Sequence, residues 1–409
     1  MFAKRKAKEF AIKTVELANR ITDERIREAT IKYYNKYNGY NQREKLVKDA
    51  QTNNIVDFKD FDTHKELYNC KNGTFNLDTG ELQPHDPEDM LTQISNVEYI
   101  KGAKCERWEQ FINEITEGDK QSLELLQMIS GYGLSGLVNH ECFFMLYGEK
   151  TRNGKGTFNS TIYRMHGDYA KTLQPEALTV KSFYGNTDTP NESIAALAGA
   201  RYACVSEPGE GFVLNSDLIK TLTGGDPIRT RFLHQHGFEY FPQFKIVINT
   251  NYLPVITDST VFDSDRLFLI NFTKHYGDEE RDTSLKNYFI KHQNISGIFN
   301  WCYEGYRKLD SIGKFNIPEK SKKLFNQYKH DSDTTQLFID ECLIKSEGTR
   351  TSLQKVYNRY KEWTKENGFS QCSKKTLKKR LQRKEFLIES YGNSDKVFDY
   401  ETLENTIPF

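Results

Sequence analysis

A chain of 409 residues with 57 basic and 57 acidic side chains, 37% hydrophobic and 13% aromatic residues, is long enough for two or three packed cores and has no net charge to draw it to nucleic acid. A mean hydropathy of -0.71 and apolar runs far shorter than the roughly 18 to 20 residues of a membrane helix exclude a spanning protein, and the Lys-rich start MFAKRKAKEF leads into no signal-peptide core. Seven cysteines (Cys70, Cys105, Cys142, Cys204, Cys302, Cys342 and Cys372) stand singly, which excludes a zinc ribbon and fits buried thiols in a reducing, cytoplasmic compartment with no membrane partner.

Residues 3–37 read as mostly helical. Ala11, Val15, Ala18 and Ile21, then Ile26, Ala29 and Tyr33, recur at three- to four-residue steps until Asn38-Gly39 interrupts them. A β-rich stretch follows, Tyr68 to Cys70 and Gly73 to Leu77, with Asp78-Thr79-Gly80 offering a second turn before Glu81-Leu82, which predicts a small hairpin. Pro84 and Pro87 mark a loop, after which helices are predicted over 108–116 and 123–131.

The middle third alternates short apolar strands with helices, the pattern of a parallel sheet buried on both faces. The strand at 142–147 (CFFMLY) runs into Gly148-Glu149-Lys150-Thr151-Arg152-Asn153-Gly154-Lys155-Gly156-Thr157, and a helix through Phe158, Ile162 and Met165 follows. Strand, glycine loop, Gly-Lys and helix in this order form the context of a P-loop, in which backbone amides and a helix N-terminus cradle phosphates and Lys155 neutralises the β and γ oxygens. Gly148, Asn153, Gly154, Lys155, Gly156 and Thr157 are the expected nucleotide contacts. The loop departs from the usual pattern twice: one residue is added between Gly148 and Gly154, and Gly156 stands where Ser or Thr is usual, which moves the expected Mg²⁺ ligand to Thr157. A glycine turn with a stray lysine is the alternative.

A phosphate-cleaving site also needs a carboxylate on a neighbouring strand. The strand Tyr202 to Val205 ends in Ser206-Glu207, which should place Glu207 at the sheet's carboxyl edge as a catalytic and metal-binding group; Glu210 competes for the role. Residues 218–240 follow, with Lys220, Gly224-Gly225, Arg229 and Arg231 ahead of Phe232, His234, His236, Phe238 and Tyr240. Alternating basic residues, aromatics and a glycine turn suggest a hairpin able to track a nucleic-acid backbone, an ordinary surface hairpin being the alternative. His234 and His236 have no acidic or cysteine partner at metal-ligand spacing. The strand Phe244 to Ile248 ends in Asn249-Thr250-Asn251, where Asn251 is placed to hydrogen-bond a γ-phosphate or the attacking water. Arg266 opens the next apolar strand, placed either for a phosphate in a neighbouring subunit or for an ion pair with Asp263 or Asp265.

Beyond about residue 285 the pattern is helical again. Helices over 336–342, 353–367 and 374–382, then strand-like runs at 385–388 and 396–400, suggest a winged helix-turn-helix. Residues 350–384 hold twelve Lys or Arg against two Glu, so Lys374, Lys375 and Lys378 are candidate DNA contacts, although a charge run also serves as a solvated face. These features divide the chain into a helical and hairpin-bearing module at 1–135, with a possible oligomerisation role, an α/β core at 136–330 and a C-terminal domain at 331–409.

Asn153-Gly154-Lys155, Ser206-Glu207, the segment Ile219 to Arg229, Thr250-Asn251 and Arg266, in that order, resemble superfamily 3 DNA helicases, most closely the phage and plasmid primase-helicase family related to the poxvirus primase-helicase. The resemblance covers nearly the whole chain except the first 50 or 60 residues. It implies an AAA+-like P-loop core with a mainly helical N-terminal module and a C-terminal winged helix. It also implies a hexameric ring that hydrolyses ATP with Mg²⁺ at subunit interfaces and moves on single-stranded and forked DNA. Carried over by residue, Lys155 and Thr157 bind the triphosphate and Mg²⁺, Glu207 activates water, Asn251 senses the γ-phosphate and Arg266 acts in trans. Lys220, Arg229 and the hairpin near His236 line the channel. Such proteins often have two adjacent acids where this chain has Ser206-Glu207, which leaves the sharing of Mg²⁺ open. Many relatives carry a primase domain ahead of the helicase, for which this N-terminus leaves no room, so a separate primase or initiator is an expected partner. The implied setting is a mobile element replicating in its host's cytoplasm. Two other functions fit parts of the sequence: an ATP-switched initiator that binds origin DNA through the basic tail with little unwinding, and a P-loop nucleotide kinase, suggested by Gly-Lys-Gly-Thr.

Overall fold

The protein is described by a computed structural model over residues 2–53, 58–179, 192–233, 236–256, 258, 260–367, 369, 371–392 and 394–403. The chain divides into two compact units, residues 1–61 and 62–409. The first contains α1 (Phe2–Ala18), α2 (Glu24–Asn35) and α3 (Tyr40–Asn53). Ala7, Ala11 and Ala18 are its buried apolar residues on α1, spaced to form one face whose small side chains let helices approach closely. Lys4 on α1 and Glu44 on α3 close an ion pair at 2.6 Å. The Asp23 carboxylate accepts the Ile26 amide at 3.0 Å and starts α2.

The second unit opens on β1 (Leu67–Cys70), β2 (Gly73–Asn76) and β3 (Glu81–Gln83), an antiparallel sheet in which Tyr68 faces Phe75. The expected hairpin is thus extended by a third strand. Gly73 has to be glycine here: a Cβ would sit 2.4 Å from the Gln83 carbonyl oxygen. Next come α4 (Glu106–Ile115) and α5 (Lys120–Tyr132), the latter capped by Asp119, which accepts the Ser122 amide at 2.9 Å.

The middle of the unit is a five-stranded, all-parallel sheet. In chain order it holds β4 (Phe143–Tyr147), α6 (Lys155–His166), β5 (Ala170–Leu173), α7 (Glu192–Ala195), β6 (Tyr202–Val205), α8 (Ser216–Thr223), the antiparallel pair β7 (Ile228–Thr230) and β8 (Phe238–Tyr240), β9 (Lys245–Thr250), α9 (Thr260–Asp263) and β10 (Leu267–Asn271). The strands lie in the order β10-β4-β9-β6-β5. Side chains alternate across β4. Phe144 and Leu146 join one core with α4, α5 and the helices that follow the sheet, and Phe143 and Met145 join another with α8 and β8. Both faces are therefore covered, which is why these strands read as continuous apolar runs.

Four helices follow: α10 (Leu285–Phe289), α11 (His292–Ile312), α12 (Glu319–Ser332) and α13 (Thr334–Cys342). The remainder is β11 (Leu343–Ser352), α14 (Leu353–Glu366), α15 (Lys374–Arg383), β12 (Ile388–Tyr391) and β13 (Ser394–Thr402), with sheet order β11-β13-β12 and a separate core around Phe338, Trp363, Leu377 and Val397. Two details differ from the sequence reading. The strand expected at 385–388 begins only at Ile388, because Glu385 adopts a left-handed φ of 66° and the Phe386 amide turns back to the Leu381 carbonyl at 3.1 Å. Strand β11 was not expected; Leu343 is its one fully buried residue, so it lacks the alternation that marks a half-buried strand. Among the described residues no helix is long and apolar enough to cross a membrane.

Candidate functional site

All five strands of the parallel sheet run the same way, so everything leaving their carboxyl ends gathers on one edge, and ligands of such sheets bind where the strand order reverses. That point lies between β4 and β9, from which the chain goes on to β5 at one edge of the sheet and to β10 at the other. The chain leaves β4 at Gly148, turns through Arg152 (φ 58°) and Gly154 (φ 86°), and enters α6 at Lys155. Gly154 is fixed twice over: its backbone is left-handed, and a Cβ would lie 2.3 Å from Ile115 Cγ2. A Cβ on Gly148 would lie 2.1 Å from Asn153 Nδ2. Asn153 shapes the turn from within, its Nδ2 donating to the Lys150 carbonyl at 2.7 Å and its Oδ1 accepting the Lys155 amide at 3.2 Å.

Lys155 is buried, and its Nζ donates to the Gly148 carbonyl (3.3 Å), the Thr250 carbonyl (2.6 Å) and Asn251 Oδ1 (2.6 Å). None of these partners carries a charge. Burial pushes the ammonium down from the usual lysine range to about 8, and the negative charge of Glu207 offsets part of that fall.

Asn153, Gly154, Lys155, Gly156, Thr157, Glu207 and Asn251 line one cavity of about 410 Å³. The structure thus brings together three separate stretches of sequence, the β4–α6 loop, the end of β6 and the end of β9. Glu207 lines this cavity and Glu210 does not. Gly148 takes part through its carbonyl. The donor set suits an oligophosphate and a magnesium ion: amides and a lysine at a helix N-terminus, with the Thr157 hydroxyl and the Glu207 carboxylate as oxygen ligands.

The opposite wall was not foreseen. Residues 274–286, leaving β10, fold back onto the loop. The Tyr276 amide donates to the Arg152 carbonyl at 2.8 Å, His275 Nδ1 meets the Thr151 carbonyl at 2.9 Å, and Arg152 pairs with Asp278. Tyr276 Oη reaches Glu114 at 3.1 Å. This places Tyr276, Arg281, Leu285 and Lys286 in the cavity wall, beside Phe111 of α4. The charge-rich loop shows no periodicity, yet one signal was available: it leaves a parallel strand whose carboxyl end had to emerge on this edge.

Arg266 lies elsewhere. It precedes β10 at the amino edge of the sheet, separated from the cavity by the strand's five residues, roughly 16 Å at about 3.3 Å per residue. Its guanidinium pairs with Glu141 Oε2 at 2.5 Å, whereas the candidate partner Asp263 is taken by Lys329 at 2.5 Å.

The candidate nucleic-acid residues are dispersed. Lys220 is held by Asp258 and by Thr260 Oγ1 at 2.7 Å. Arg229 is exposed on β7 opposite Glu239, and Arg231 and His236 are exposed in the loop leading to β8. His234 lies outside the described residues. On α15, Lys374 donates to Gln354 at 2.8 Å, Lys378 pairs with Asp395 at 2.7 Å and Lys375 is exposed.

Fold and cavity together define a class: a mixed α/β protein presenting a glycine-and-lysine loop at the carboxyl edge of a parallel sheet. The comparisons narrow it. The family described as D5 N terminal like matches residues 2–117, and the family described as Poxvirus D5 protein-like matches residues 330–406. A provisionally named helicase of Acanthamoeba polyphaga mimivirus, L207/L206, is 26% identical over 347 residues, 80% of this chain and 36% of its own length. The provisionally named helicase 121R of Invertebrate iridescent virus 3 is 23% identical over 341 residues, 75% of this chain and 36% of its own. Primase D5 of Fowlpox virus (strain NVSL) is 26% identical over 269 residues, 62% and 33% of the two chains. The chain is thus similar to D5-type primase-helicases, through both family matches and these relatives. It spans about a third of the length of these relatives. The family match begins at residue 2, inside the stretch that the sequence resemblance left out. Two apo structures of the NrS-1 C-terminal region have TM-scores of 0.45 and 0.44 at 13% and 12% identity, covering 75% and 74% of this chain and 77% and 76% of theirs.

Proposed function

We propose that this chain is the ATP-hydrolysing motor of a replicative DNA helicase of a mobile element, working as a ring, most simply a homo-hexamer, that moves along single-stranded DNA and opens forked duplex. The observation that carries this reading is the cavity that gathers Lys155, Thr157, Glu207 and Asn251 at one edge of the parallel sheet. In it, the amides of residues 154–157 and the α6 N-terminus take the phosphates. Lys155 exchanges its carbonyl and amide partners for β and γ oxygens, which frees Asn251 to hydrogen-bond the γ-phosphate. Glu207 orients the attacking water and accepts its proton. Thr157 and Glu207 would hold Mg²⁺, which supplies charge neutralisation to the phosphate oxygens. Arg266 cannot reach this cavity in its own subunit, which supports its role as a finger into the neighbour's site. Residues 136–330 form the AAA+-like P-loop domain and 331–409 the winged-helix-like one in this reading, with Arg229, Arg231 and His236 facing DNA in the channel. A separate primase or initiator and the host cytoplasm complete it.

The test is Lys155→Ala in the full chain, assayed for ATP turnover and for separation of a forked duplex. Both should be lost, and retention of both would end the motor reading. A second reading, an ATP-switched initiator, draws on α15, which lies between α14 and the β12–β13 hairpin with Lys375 exposed. Sequence-specific duplex binding that weakens steeply with salt, without strand separation, would favour it.

A further inference from the structure

Strands β4 and β10 begin side by side, Phe143 opposite Leu267. Just before each start, a non-glycine residue takes a left-handed backbone: Glu141 at φ 46° and Asp265 at φ 51°. Such residues persist where their surroundings over-determine them. Between the two bends lies Arg266. One guanidinium nitrogen donates to Glu141 Oε2 at 2.5 Å, and the other donates to the Glu141 carbonyl at 3.1 Å and to Thr223 Oγ1 at 3.0 Å.

Thr223 is the last residue of α8 and is buried. Its hydroxyl donates to the Ile219 carbonyl at 2.8 Å, so its proton is committed and only its lone pairs face the guanidinium. The same helix carries Lys220 one turn earlier, and the chain passes through Gly224 and Gly225 (φ 80°) into β7 with Arg229. A single hydroxyl therefore joins the segment proposed to track DNA to the arginine proposed to act on the neighbouring nucleotide. Glu141 differs in character. Its side chain is 51% exposed against 18% for Arg266, and a pair so open to water is a weak tie that a triphosphate can displace.

We propose that Thr223 and Glu141 are positioning residues for Arg266. Glu141 parks the guanidinium in the lone subunit, and Thr223 sets its placement from the α8–β7 segment, so that DNA held by that segment governs how Arg266 is presented across the subunit interface. The inference rests on reading Arg266 as a finger in trans.

The experiment uses full-length Thr223→Val, Thr223→Ser, Glu141→Gln and Arg266→Ala. ATP turnover is measured with and without a single-stranded oligonucleotide, alongside nucleotide affinity and melting temperature. Thr223→Val should lower DNA-stimulated kcat about tenfold, the scale of a lost hydrogen bond to a charged group, with KM and nucleotide affinity unchanged, and Thr223→Ser should restore it. Glu141→Gln should raise turnover without DNA about threefold by releasing the parked state. Wild-type stimulation in Thr223→Val, or equal impairment in Thr223→Ser, would overturn the positioning role. If Arg266→Ala turns over normally, the finger reading fails and this inference with it. If Arg266→Ala is inactive while Thr223→Val and Glu141→Gln behave as wild type, only the positioning role fails.

Discussion

Lys155 holds a charge among oxygens that carry none, and its depressed proton affinity sets a pH dependence. An unfolded chain keeps this lysine protonated to its ordinary value of 10.5, whereas the folded chain releases the proton at about 8. Below about pH 8 the cost of the buried charge is fully present. Between the two values the unfolded state binds more protons, so this group's contribution to stability rises with pH. Phosphate binding runs the other way. A triphosphate favours charged Lys155, so above pH 8 the protein must take up a proton to bind, and affinity should fall up to about tenfold per pH unit. Calorimetric titration of Mg-nucleotide at pH 8.5 in two buffers of different ionisation enthalpy should reveal that uptake. An affinity constant from pH 7 to 9.5, with no proton taken up, would contradict it. The choice of Glu207 over Glu210 also belongs to this scale. The end of an apolar strand points to the first acid after it, and the cavity contains that residue alone of the two.

The loop between β4 and α6 depends on two glycines in different ways. Gly154 is left-handed and pressed against Ile115, whereas Gly156 has open space where its Cβ would stand. Gly154→Ala should cost about 1 to 2 kcal/mol for the backbone conformation alone, with the Ile115 overlap added, and weaken nucleotide binding. Gly156→Ala, placed inside the first turn of α6, should keep the wild-type melting temperature, since alanine favours helix. Thermal melts of the two variants check this, and equal destabilisation would refute the assignment. Elements of this kind were legible: β4, β6 and β9 are apolar runs of the length a doubly covered sheet needs, and α6 follows its Gly-Lys directly. Contacts made far along the chain were not. Nothing local in Glu141 marks it as the partner of Arg266, 125 positions away. No periodicity in residues 274–286 marks them as the second wall of the cavity; the parallel strand they leave was the one signal. Gly131 and Gly305 gave no hint that α5 and α11 pack so tightly that a Cβ on Gly131 would meet the Tyr306 amide nitrogen at 2.1 Å. Pairings like these arise from packing, which residue periodicity does not encode.

At the scale of the whole second unit, the C-terminal part keeps a core of its own. A polar cleft of about 840 Å³ lies between it and α8 and α9, with Lys384 paired to Asp333 at 2.7 Å on the C-terminal side and Lys329 paired to Asp263 at 2.5 Å on the other. The sheet keeps its two edges distinct, the carboxyl edge forming the Lys155 cavity and the amino edge holding Arg266. A site that needs both edges needs two copies of the chain. If Arg266 completes the neighbour's site, Lys155→Ala and Arg266→Ala are each inactive, yet they damage different halves of every interface. In a random 1:1 mixture, one interface in four joins an intact Lys155 cavity to an intact Arg266, so turnover should return to about a quarter of wild type. The measurement is ATP turnover against mixing ratio, with a maximum near equal proportions. Turnover that stays at zero across the series, while mixed oligomers form, would show that Arg266 does not act across the interface.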